Sequence, residues 1–190
     1  MDIYNLLVRS DIDGLPAREM ATLVGYTLSG DLIGWDGETA WFCVFDDDAK
    51  AIYMNQTPEP KLLLIPYTSD GQGEMISVPC TGFSEAMMCG STLAYIEEGT
   101  LHIYNTDNGE GRILSGEGQK VQYLNYLGKN GRHILAWVSP DGFHTLDLDF
   151  GNENYLEGDW LTGYFGLYMW NDRIFLLKTE GGFKSWQYAL

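Results

Sequence analysis

The sequence predicts an all-β chain built from antiparallel hairpins, and three observations carry that prediction. Helical periodicity is nearly absent over the 190 residues. The 23 glycines, 12 tyrosines and 6 tryptophans suit turns and pleated strands, because glycine reaches positive φ and aromatics pack well on a sheet. Short apolar runs alternate with N-G, D-G and G-G dipeptides, which make tight hairpin turns.

The elements follow in order. Ile3–Val8 reads as a strand. One short N-terminal helix is expected over Leu15–Val24: Pro16 suits a first helical turn, and Ala17, Met20, Ala21 and Val24 recur at helical spacing. Tyr26–Trp35 is a strand that turns at Asp36-Gly37. Thr39–Phe45 is the next, Asp46-Asp47-Asp48 is a hairpin tip, and Lys50–Met54 is a third strand. Lys61–Ile65 and Glu74–Val78 are further strands in a stretch that also holds Pro58, Pro60, Pro66 and Pro79.

From Phe83 the pattern tightens. Phe83–Cys89, Thr92–Ile96, Thr100–Tyr104 and Arg112–Leu114 are strands divided by Gly90-Ser91, Glu98-Gly99 and Asp107-Asn108-Gly109. Val121–Leu127, Arg132–Val138 and Phe143–Leu148 repeat the scheme around Asn130-Gly131 and Pro140-Asp141-Gly142. Gly163–Met169, Arg173–Lys178 and Phe183–Tyr188 repeat it again. Second strands begin at Thr92, Arg132 and Arg173, 40 and 41 residues apart. Third strands begin at Thr100, Phe143 and Phe183, 43 and 40 apart.

A period of about 40 residues with three or four strands resembles the blade of a β-propeller, of WD40-like length. The likeness is to the architecture in general, since no W-D, Kelch or Asp-box signature is present. It implies a single small, four-bladed or partial propeller. Its units span 25–81, 82–118, 119–160 and 161–190, and the strand at 3–8 is placed to complete the last one. Closure removes the unpaired edge that an open stack would leave.

Charge limits the function. There are 27 acids against 11 Lys plus Arg, giving −16. Residues 1–95 hold 14 acids and 4 bases and residues 96–190 hold 13 and 7, so the halves carry −10 and −6. Such a field disfavours a phosphate backbone and an anionic membrane surface, both of which are bound through Lys and Arg. It favours a basic protein partner. No run of apolar residues reaches membrane-spanning length, and MDIYNLLVRSDIDG has no secretory character. Cys43, Cys80 and Cys89 form no C-x-x-C pair and are expected as buried, reduced thiols in a cytoplasmic protein.

Motifs for chemistry are sparse. The sequence contains no nucleophile elbow, phosphate-binding loop, dinucleotide fingerprint or H-E-x-x-H. His102, His133 and His144 each fall in a strand and are expected as isolated, hydrogen-bonded residues. Asp11-Ile12-Asp13-Gly14 opens like a calcium loop, but its twelfth position is Thr22, which is no bidentate ligand, so a turn is expected. Asp147 and Asp149 lie two apart and can share a strand face. No catalytic residue, metal ligand or cofactor is assigned.

The candidate binding residues are the dense acidic run Asp46, Asp47 and Asp48, and two tryptophans beside turns and acids, Trp35 and Trp160. These point to a non-enzymatic interaction module with an acidic surface. One alternative is an acidic inhibitor or immunity-type protein that blocks a basic nuclease or nucleic-acid-binding site. The other is a carbohydrate-binding or glycosidase-like domain using aromatics and paired carboxylates.

Overall fold

A computed structural model of the chain describes residues 5–9, 18–23, 31–36, 38–115, 120–129, 132–158, 164–170, 173–178 and 184–189. The fold is all-β. Two compact units divide the chain, Met1–Gly82 and Phe83–Leu190.

In the first unit, β1 (Asn5–Arg9) pairs antiparallel with β2 (Arg18–Leu23). The strand β2 corrects the helix expected over Leu15–Val24. A segment this short gains little from helical hydrogen bonds without tertiary support. Pairing from Asn5↔Leu23 to Arg9↔Arg18 satisfies its backbone directly. Next come β3 (Asp31–Trp35), β4 (Ala40–Asp46), α1 (Ala49–Tyr53), β5 (Lys61–Thr68), β6 (Gly71–Gln72) and β7 (Ile76–Pro79). The sheet order is β3-β4-β5-β6, with β7 also pairing β5. Between β3 and β4, the Asp36 carboxylate accepts the backbone N–H groups of Glu38 and Thr39 at 2.8 and 2.7 Å, closing the expected turn.

Lys50–Met54, expected as a strand, is instead the helix α1 and the turn after it. The true partner of β4 is β5, in register from Ala40↔Tyr67 to Asp46↔Lys61. Once that long ladder forms, residues 49–53 have no strand to pair with, and local helical bonding is what remains.

The second unit repeats one plan. Four strands, β8 (Glu85–Cys89), β9 (Thr92–Glu97), β10 (Thr100–Asn105) and β11 (Gly111–Ile113), form a meander. So do β12 (Gln122–Lys129), β13 (Arg132–Ser139), β14 (Gly142–Asp147) and β15 (Glu153–Glu157). A third meander has β16 (Tyr164–Trp170), β17 (Arg173–Lys178) and β18 (Lys184–Ala189). Every described pairing in this unit is antiparallel between neighbours in sequence, as the turn dipeptides require. The turn between β9 and β10 puts Glu98 at φ 49 and Gly99 at φ 80, the two positive values of a tight hairpin turn.

Burial is graded across these sheets. All of β14 is buried, while β11 is exposed and β15 nearly so. Strict apolar alternation therefore fails in the central strands, which are covered on both faces, and the polar residues collect at the edges. The core between the first two meanders holds Ile96, Leu101, Val121, Leu135, Trp137 and Leu146. In the first unit, Ala40, Phe42, Ile65 and Tyr67 cluster, with the Phe42 and Tyr67 rings edge to face at 5.7 Å.

Candidate functional site

The acidic run lies on the connection between β4 and β5. Asp46 ends β4, pairs with Lys61 across the sheet and holds its ammonium at 3.7 Å. Asp47 and Asp48 form the approach to α1, so the run is a strand-to-helix junction and not a two-stranded tip. Each carboxylate orders backbone. Asp46 accepts the N–H of Asp48 at 3.0 Å, Asp47 that of Ala49 at 3.0 Å, and Asp48 that of Glu59 at 3.1 Å. The left-handed backbone of Asp48, φ 52, is one an aspartate adopts more readily than most residues. Short side chains that bond nearby N–H groups favour such junctions.

The two tryptophan candidates are not brought to this site by any described contact. Trp35 closes β3, is half-buried, and packs against the Phe42–Tyr67 cluster. Trp160 lies outside the described residues, as does the Asp11–Gly14 turn. Trp137 is fully in the core of the second unit.

The histidines each stack on a different aromatic. His102 lies on Tyr95 at 5.0 Å, His133 on Tyr126 at 5.8 Å, and His144 on Trp137 at 5.1 Å. Their spacing in sequence is seven in every case, which sets the two rings across one hairpin. That spacing was the available signal for these contacts. His144 is the most enclosed. Its Nε2 lies 2.9 Å from the Ser139 hydroxyl, which in turn donates to Asp141. That hydrogen bond, first among the causes, holds the Asp141 carboxyl below its ordinary range. The other ring nitrogen is buried with no hydrogen bond and lies 3.5 Å from a Glu153 oxygen. Ser139 is wholly buried, so this serine–histidine–aspartate set ties a turn together and cannot reach a substrate.

Asp147 and Asp149 do not act as a carboxylate pair. Asp147 is buried and takes the Arg132 guanidinium at 2.7 and 3.2 Å, with the N–H groups of Asp149 and Phe150 on its other oxygen. Burial pushes its carboxyl up, but Arg132 and those N–H groups outweigh it and the net shift is downward. Asp149 accepts the His133 N–H at 2.7 Å.

A cavity of about 570 Å³ opens in the second unit. Ile103 and Leu148 supply apolar wall, and Asn105, Asn108, Glu110 and Arg112 supply polar groups. Among the described residues no aromatic lines it, so they offer no stacking platform for a sugar ring.

Cys43, Cys80 and Cys89 are buried, as expected, and none is in a disulfide. Burial, with Cys80 and Asp31 nearby, pushes the Cys43 thiol up to about 12. Among the described residues, no helix is long and apolar enough to cross a membrane, and no three His, Cys, Asp or Glu side chains gather as a metal site would need.

Comparison with known proteins gives fold alone. No family model matches the chain. No curated protein matches it either. The crystal structure of the computationally designed Ika4 protein is similar, with TM-score 0.57 and 12% identity over 90% of this chain and 99% of that one. A structure of Kluyveromyces lactis Hsv2 with its complete loop 6CD is similar at TM-score 0.55 and 13% identity. The match covers 90% of this chain and spans about half, 51%, of the Hsv2 chain.

Proposed function

We infer that the chain is a non-enzymatic protein-interaction module, a small β-propeller whose acidic surface binds a basic protein. The repeated four-stranded meanders and the spacing of about 40 residues support the propeller. The observation that carries the binding role is the β4–β5 connection. Its carboxylates are fixed by backbone N–H groups, so they present charge with little left to order on association. A net charge of −16 adds long-range steering toward a cationic partner. Three buried thiols suit a reducing compartment, which supports the cytoplasmic part of this reading.

The test is retention of basic proteins on the immobilised chain across a salt series. Binding should fall steeply from low to moderate ionic strength, and Asp47→Asn/Asp48→Asn should weaken it. Retention of no basic protein at low salt overturns the reading. The inhibitor reading uses the same carboxylates, and loss of nuclease inhibition in that double variant would make it the specific case.

A further inference from the structure

Asp46 and Lys61 face each other across β4 and β5. A two-residue turn is enough to close such a ladder, yet residues 47–60 stand between them. The insertion is ordered. The Asp48 carboxylate takes the Glu59 N–H and staples its two ends, and Gln56 donates to the Ala51 carbonyl at 2.9 Å. Ala51 is the buried residue of α1 and fastens the helix to the unit.

What this ordered loop displays is apolar. Ile52, Tyr53 and Met54 are 64%, 90% and 67% exposed. These three consecutive large apolar side chains lie mostly outside the core, and exposed apolar surface of this kind on an ordered element is characteristic of interaction sites. The same loop carries Asp47, Asp48 and Glu59, with Lys50 as the basic exception. An exposed apolar strip on a hydrogen-bonded loop that also carries charge combines the apolar anchors and polar neighbours of a binding hot spot.

The acids of this loop select the occupant. A second copy of this chain would set the same acids against each other, which like charge opposes. A cationic rim around an apolar strip is complementary. We propose that Ile52, Tyr53 and Met54 anchor an amphipathic segment of a partner protein, apolar along one side and flanked by lysine or arginine. The proposal rests on the interaction-module reading and adds the chemistry of its contact.

The test uses two synthetic helical peptides of equal length and charge, one of lysine and leucine and one of lysine and serine. Each is titrated against the full chain and two variants. The lysine–leucine peptide should bind about tenfold more tightly than its control. Ile52→Ser/Tyr53→Ser/Met54→Ser should abolish that preference with thermal unfolding unchanged, and Asp47→Asn/Asp48→Asn should weaken both peptides alike. A preference that survives the serine variant overturns the anchor and leaves the module reading standing. Equal binding of the two peptides by the native chain does the same. Binding of neither peptide overturns both. Sedimentation of the native chain with neutral phosphatidylcholine vesicles, lost in the serine variant, would give the tip to a lipid surface and overturn the protein anchor.

Discussion

The carboxylate of Glu85, on β8, accepts the backbone N–H of Leu124, on β12, at 2.8 Å. Its other oxygen accepts the N–H of Tyr123 at 2.9 Å. These two N–H groups lie where the β12 register shifts between Gln122 and Asn125 and Tyr123 turns to φ 59, and Glu85 supplies acceptors for both. One side chain from the preceding meander completes a bulge in the next. Glu85→Ala should therefore destabilise the fold by about 2 kcal/mol, the scale of hydrogen bonds to a charged group. Glu85→Gln should recover only part, because its amide nitrogen meets an N–H instead of accepting it. Urea unfolding of the three proteins checks this, and equal midpoints would refute it.

Gly90 turns the chain between β8 and β9 at φ +62. A Cβ placed there would meet the His133 imidazole at 3.0 Å. Gly90→Ala carries both a conformational cost and a contact cost, and a loss of about 1–2 kcal/mol is expected. In the Gly90→Ala/His133→Ala double variant the contact part should vanish, so the loss from Gly90→Ala should shrink in that background. A double-mutant cycle by thermal unfolding measures it.

Asp147 links stability to pH. Its carboxyl titrates below its ordinary 3.8 in the folded protein, so the unfolded chain binds the proton more readily. The resulting stability is fully present above the ordinary value and is lost as pH falls through the folded one. Arg132→Gln should raise the pH of acid unfolding, because the guanidinium no longer favours the carboxylate. At neutral pH the cost is about 1–2 kcal/mol, since the Arg132 side chain is 47% exposed and solvent screens the pair even though Asp147 is 3% exposed. Asp147→Asn should flatten the pH dependence in the acid range, as followed by circular dichroism.

The thiols should be silent in the folded state. Cys43 titrates at about 12, burial pushes Cys89 up as well, and reaction needs the thiolate. At pH 8 a chromogenic disulfide reagent should label neither until denaturant is added, when all three cysteines, including the buried Cys80, should react. Rapid labelling of the native protein would contradict the burial described here.

Much of the fold was legible in local chemistry. The strands from Thr92 to Lys178, β15 apart, lie within a residue or two of where apolar runs and turn dipeptides put them. Tight turns explain this, because each hairpin is specified by residues adjacent in the chain. The exposed strand β15 (Glu153–Glu157) escaped because ENYLE has no apolar run to announce it, and only its ladder with β14 makes it a strand. The candidate site was half legible. The acids at Asp46, Asp47 and Asp48 were visible as a charge run, but their role in ordering a helix junction was not. Ile52, Tyr53 and Met54 read as part of a strand, since apolar character alone does not tell an exposed helix end from a paired strand.

The sequence by itself determined the all-β class, the hairpin order of the second unit, the acidity and the buried thiols. These depend on turn conformation, side-chain period and composition, which act over a few residues. Only the tertiary structure decided that Arg18–Leu23 is a strand, that β4 pairs with β5 across residues 47–60, and that Glu85 caps a bulge some 39 positions away. In each case a distant partner satisfies backbone groups that local preference leaves open, and the free energy of satisfying them exceeds the difference between helix and strand propensities.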